Sequence, residues 1–168
     1  MGIVSPGLQG RPRSSGAVTL PPGQYLTDDF PVLLDLPSED ITVDLHCVTK
    51  WSKLGTRWHG VSLDTLLADI DTSADYALAH SYGGYTTNLP LADLLDGQAW
   101  IAYRYDDADL SPEHGGPARL LVPHLNLWKS AKWVHGIRLL TDDEPGFWET
   151  AGYHEYGDPW REQRYQGG

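Results

Sequence analysis

At 168 residues the chain suits a single domain that buries roughly two thirds of the surface its unfolded form exposes, with no staple required. Its 23 acidic against 12 basic residues give a formal net charge of −11, which argues against general nucleic-acid binding because a phosphate backbone demands a basic face. Cys47 is the only cysteine, so an internal disulfide and zinc sites of two or four thiolates are excluded, and an oxidising compartment is not indicated.

Residues 1–24 are rich in Gly, Pro and Ser and read as a flexible or surface-hugging arm, leaving 25–168 as one domain. From Ile41 to Val48 apolar and polar residues alternate, which places Ile41, Val43, Leu45 and Cys47 on one face of a strand. Ser62 is a cap for a helix running to about Ile70, with Leu63, Leu66, Leu67 and Ile70 on its apolar stripe and Asp64 at its positive end. Tyr76–Ser81 predicts a short strand entering a Gly83-Gly84 turn, Pro90–Leu95 a short helix, and Trp100–Tyr105 another strand. After an acidic loop, Arg119–Val122 reads as a buried strand stopped by Pro123, and Trp133–Leu140 alternates again. The fold class is therefore α+β, mixed, with more strand than helix. The tail from Phe147 carries six of the 18 aromatics, a composition suited to a strap lying over the core. No apolar run approaches the ~18 residues that span a bilayer, and the N-terminus lacks a charged stretch followed by an apolar one. The expectation is a cytoplasmic protein with no membrane span.

Charge is unevenly distributed. Windows 45–63, 76–92 and 114–141 contain no Asp or Glu, yet hold seven of the twelve bases: Lys50, Lys53, Arg57, Arg119, Lys129, Lys132 and Arg138. Convergence of the three windows would make a cationic pocket inside an anionic shell, suited to a phosphate-bearing or oxyanion ligand. Cys47 opens the first window, and the nearby Lys50 and Lys53 favour its thiolate. A cysteine nucleophile, a metal ligand and a redox sensor all fit that setting. A Cys-His hydrolase needs a base in reach, whereas His46, adjacent on the strand, points to the opposite face. In the third window His114 to Arg119 is followed by Lys129, Ser130, Ala131 and Lys132, where ammonium groups, a hydroxyl and main-chain amides can clasp a phosphate. Neither GxxxxGK[ST] nor GxGxxG occurs, so ordinary nucleotide binding lacks support.

Taken in order, Cys47-Val48-Thr49-Lys50-Trp51-Ser52, Trp58-His59-Gly60-Val61, Gly115-Gly116-Pro117-Ala118-Arg119-Leu120 and Lys129-Ser130-Ala131-Lys132-Trp133 resemble the catalytic domain of the sulfite oxidase family of molybdopterin-dependent oxidoreductases. The likeness is closer to its small bacterial members and its protein-methionine-sulfoxide reductase branch. The resemblance implies a sulfite-oxidase-like fold and a Mo-molybdopterin cofactor, with Cys47 as the one protein thiolate on molybdenum beside two dithiolene sulfurs. It implies two-electron oxygen-atom transfer on a small oxyanion or sulfoxide-type substrate, and electrons passed to a separate partner. It also implies that Asp28, Phe30, His46, Ser81, His114, Arg119, Lys129, Ser130, Ala131 and Lys132 contact the cofactor, and that Lys50, His80 and Tyr85 line the substrate entrance beside Cys47. Family members carry several dozen more residues between the positions of Phe30 and Cys47, so a reduced sheet is expected. A cofactor-free relic or binding module of the same fold, and a thiol-dependent hydrolase, are the competing expectations.

Overall fold

The computed structural model describes residues 18–19, 25–27, 34–47, 51–68, 70–154, 156–161 and 163–165. A five-stranded antiparallel sheet joins β3 (Glu39–His46), β4 (Ser52–Ser62), β8 (Trp100–Tyr105), β9 (Ala108–Asp109) and β10 (Arg119–Leu121); its main path runs β10-β8-β4-β3, with β9 on β8. A four-stranded antiparallel sheet has the order β2-β11-β6-β7, from Tyr25–Thr27, Val134–Leu140, Tyr76–Ser81 and Thr86–Pro90. A separate parallel pair links β1 (Val18–Thr19), inside the expected arm, to β5 (Ile70–Asp71).

Period-2 burial explains how the sheets pack. On β8, Ile101 and Tyr103 enter one core cluster, while Trp100 and Ala102 enter the other, as alternating side chains of a pleated strand require. The larger cluster joins Val61, Ile101 and Leu120 of the first sheet to Ala77, Ala79, Leu89, Ile137 and Leu139 of the second. The smaller cluster covers the other face of the first sheet with Ile41, Leu45, Trp58 and Leu121. Strand β4 can keep its pairing with β8 through the register shift at His59/Gly60 because residue 60 is glycine: a Cβ there would sit 2.2 Å from the Ile101 carbonyl oxygen. Asp106 and Asp107, both at positive φ, make the two-residue turn from β8 to β9, a backbone state Asp tolerates better than most residues.

The helices are short. Ser62 caps α1 (Leu63–Leu67) by accepting the Asp64 N–H at 3.1 Å. The Asp64 carboxylate accepts instead from the backbone of Asp96 and Gly97, at 2.8 and 2.7 Å. The helix stops before the expected Ile70 because Ile70–Asp71 pair as strand. Tail residues Phe147–Thr150 form α2, and Tyr153 pairs with Tyr165 across a bridge. The Tyr156 hydroxyl donates to Asp93 at 2.9 Å and the Asn126 N–H to the Gly157 carbonyl at 2.8 Å, so the tail straps the core as its aromatics predict. Among the described residues no helix is long and apolar enough to cross a membrane.

Candidate cofactor pocket

A cavity of about 390 Å³ opens where several loops meet at one end of the sheets. Cys47 reaches it from the end of β3, Tyr85 from just before β7, Arg119 from the start of β10, and Leu127, Trp128 and Ser130 to Trp133 from the loop between β10 and β11. Trp148 and Tyr153 of the tail complete the wall. All three acid-free windows contribute to it, and among the described residues no carboxylate lines the cavity.

The main chain fixes each wall. The Cys47 N–H donates to the Trp51 carbonyl at 2.9 Å, holding the sulfur-bearing residue in the turn after β3. Segment 130–134 runs back along 115–122: Leu120 N–H donates to Ala131 O at 2.9 Å, Val134 N–H to Ala118 O at 3.1 Å and Trp133 N–H to Gly115 O at 3.0 Å. Gly115, at φ +107, leaves room for Lys132, whose Cβ would lie 3.0 Å from any Cβ added there. The Ser130 hydroxyl accepts the Val122 N–H at 2.9 Å, which leaves its own proton available for donation.

Arg119 is the main electrostatic element. It is 4% exposed, and burial pushes its pKa down to about 10. Its terminal nitrogens donate to His114 O at 3.0 Å and Ser130 O at 2.6 Å, while Nε, equally buried, has no acceptor among the described residues. A buried cation with an unfilled donor carries a desolvation cost that a bound anion relieves. Lys132 adds a second cation, anchored by Nζ to Glu113 O at 2.9 Å. The Tyr85 hydroxyl donates to the Trp128 carbonyl, and burial, followed by the nearby Glu149 charge, raises its pKa.

The structure brings together Cys47, Tyr85, Arg119, Ser130, Ala131 and Lys132. Lys129 is a correction. It is fully buried, with Nζ 2.7 Å from Glu149 Oε2 and 2.6 Å from Asn88 O, and does not reach the cavity. His46 does not line the cavity: it is buried, its Nδ1 2.8 Å from Ser52 Oγ and its ring edge-on to Trp160. His114 contributes its carbonyl to Arg119, but its exposed ring lies toward Tyr105. His80 faces His135 across the second sheet, and the neighbouring Ser81 is buried, its hydroxyl without a partner among the described residues; neither lines the cavity. Asp28, Phe30 and Lys50 lie outside the described residues. Of the other bases, Arg57 pairs with Asp106 and Asp107, and Arg138 with Glu144. Leu127, Trp128, Trp148 and Tyr153 are lining residues that sequence reasoning did not assign to the site; the aromatic tail hinted at Trp148 and Tyr153, and nothing local pointed to Leu127.

One cysteine sulfur, a buried arginine, a second cation and, among the described residues, no acid in the wall suit a pocket for an anionic, sulfur-bearing cofactor. Among the described residues no group of three or more His, Cys, Asp and Glu could hold a metal, so the protein itself offers only a single thiolate here. Residues 22–148 match the family model described as oxidoreductase molybdopterin binding domain, and the chain belongs to that family. It is 43% identical over 145 residues to an uncharacterized oxidoreductase, YuiH, of Bacillus subtilis, covering 82% of this chain and 73% of that one. It is 30% identical over 126 residues to a putative protein-methionine-sulfoxide reductase subunit, YedZ1, of Azospira oryzae, covering 73% of this chain and 47% of the relative. The sulfane dehydrogenase SoxCD from Paracoccus pantotrophus superposes with a TM-score of 0.60 at 23% identity, over 68% of this chain and 34% of that one, which supports the strand-rich fold. The chain is thus a molybdopterin-dependent oxidoreductase of the sulfite-oxidase-like family. Relatives other than YuiH are matched over less than half their length.

Proposed function

We propose that the protein catalyses two-electron oxygen-atom transfer on a small oxyanion or sulfoxide-type substrate and exchanges its electrons with a separate protein. The observation that carries this reading is the cavity joining Cys47 to Arg119, Ser130 and Lys132 with no carboxylate among the described residues that line it. Relatives named as protein-methionine-sulfoxide reductases and sulfite oxidases support the substrate class. Those named as a subunit or a catalytic subunit support a separate electron carrier.

When bound, the molybdenum-pterin group supplies a metal that changes by two electrons and takes up or gives an oxygen atom. Cys47 supplies the protein thiolate, placed by its backbone bond to Trp51. Arg119 Nε, the Ser130 hydroxyl and the Lys132 ammonium, all in the cavity wall, would hold the anionic part of the cofactor. Tyr85 serves as wall, because its proton is already given to the Trp128 carbonyl. Written as an oxidation, substrate and one water give the oxygenated product, two protons and two electrons that leave to the partner; reduction runs the same balance backwards.

Purification from a molybdopterin-competent host should give about one molybdenum per chain, falling to near zero in Cys47→Ser. A metal-free wild-type protein from that host overturns the reading. The hydrolase alternative loses support from the geometry, since no histidine lines the cavity with Cys47 and a thiolate nucleophile needs a base within hydrogen-bond reach.

A further inference from the structure

Glu149 lies one residue past the stretch matched by the family, and it is 1% exposed. Its Oε2 collects three donors: Lys129 Nζ at 2.7 Å, Trp128 Nε1 at 2.8 Å and Thr87 Oγ1 at 2.9 Å. These donors come from β7 and from the turn immediately before Ser130. The helix that bears Glu149 spans four residues, too few to persist without tertiary anchors. Its entry is keyed by Gly146, whose N–H donates to Asn88 Oδ1 at 3.3 Å and where a Cβ would lie 2.4 Å from Thr86 O. The carboxylate thus ties together three segments, each of which carries part of the cavity wall: Tyr85 beside β7, Trp128 to Lys132 in the loop, and Trp148 with Tyr153 in the tail.

A buried ion pair is a poor source of stability, because desolvating two charges offsets most of their attraction, and similar apolar residues often serve as well. Its value here is geometric. We propose that Glu149 is a positioning residue for the pterin pocket, whose carboxylate oxygen fixes the Trp128 indole and the start of segment 130–132 and makes the tail a working wall of the site. This rests on the cavity being the pterin site.

Two double variants separate position from charge: Lys129→Met/Glu149→Gln keeps an acceptor oxygen at 149, and Lys129→Met/Glu149→Leu removes it, while neither has the ion pair. Full-length chains would be purified loaded, diluted, and followed by fluorescence of released pterin, with thermal midpoints taken on the stripped proteins. The expected result is wild-type-like release for the glutamine form and release at least ~10-fold faster for the leucine form, with the two midpoints within about 5 °C. Equal release from both overturns the positioning role. Should the leucine form fail to fold, Thr87→Val removes one donor from the carboxylate by a near-isosteric change; release about 3-fold or more faster supports the role, and unchanged release overturns it. A wild-type chain that carries no pterin overturns the assignment of the cavity, and the proposal with it, whatever the variants do.

Discussion

The guanidinium of Arg119 donates to the carbonyl of Ser130 at 2.6 Å while its Nε, buried alongside, faces no acceptor among the described residues. One side chain therefore both braces the loop that carries Ser130 and presents an unfilled charged donor. That pairing makes anion binding favourable before any ligand-specific contact is counted. Inorganic phosphate should raise the thermal midpoint of stripped wild-type protein by a few degrees at concentrations well above its Kd. In Arg119→Ala the rise should vanish, and pterin affinity should fall roughly 10- to 100-fold. Calorimetric scans with and without phosphate read the first effect, and retained pterin after gel filtration reads the second. A phosphate shift that persists in Arg119→Ala would remove the residue from the site.

Tyr85 is expected to act as wall, not as an acid. Its hydroxyl is committed to the Trp128 carbonyl, and burial keeps it protonated beyond the ordinary tyrosine range. Tyr85→Phe should leave the pH profile of turnover unchanged up to about pH 10 and cost about 1 kcal/mol of stability from the lost hydrogen bond. A drop in kcat of about 100-fold or more with pterin still bound would assign it a proton-transfer role instead.

What the sequence disclosed depended on how polarity tracked burial. Strands β6 and β8 have the expected limits because their small or aromatic residues pack as they read. Strand β4 escaped because its first four residues, Ser52–Gly55, are exposed and its inner half alone is buried, so no period-2 signal runs through it. Strand β7 escaped for the opposite reason: Thr87 and Asn88 are polar but fully interior, satisfied by Glu149 and Asp143. The charge map located the pocket, since the three windows do converge, but it could not say which way a lysine turns. Lys132 and Lys129 are three residues apart and look alike in sequence; one lines the cavity and the other is paired with Glu149. A partner 20 residues away in a tail read as packing leaves no local trace.

The irregular pairing of β4 with β8 at Gly60 gives a steric prediction. Adding a methyl at residue 60 meets the Ile101 oxygen at 2.2 Å and Ala102 Cα at 2.7 Å, both backbone atoms that cannot rotate aside. Gly60→Ala should cost about 3 kcal/mol or more, or give no soluble protein. Gly55→Ala is the control: its φ of +64 strains a side chain, but open space surrounds it, so a cost of about 1–2 kcal/mol is expected. Urea melts of the two variants measure the difference, and equal losses would contradict the contact.

Stability should also fall on mild acidification, through His80. Burial first, then the charges of His135 and Arg138, hold its pKa below 6.5, while Glu144 pulls the other way. Between the folded value and 6.5 the unfolded chain binds a proton that the native protein does not, so unfolding is favoured as pH drops. The contribution is complete above about pH 6.5, declines as pH falls toward the folded value, and is constant below it. The ring lies 6.3 Å from that of His135, which in turn stands 4.7 Å from Tyr82, so the charge of His135 opposes protonation of His80. Urea midpoints at pH 7.5 and pH 5 should therefore differ less in His80→Phe than in wild type. The same spacing predicts that His135→Phe recovers part of the loss with His80 intact, because one of the two opposing charges is gone. An identical acid loss in wild type and both variants would place the sensitive group elsewhere in the chain.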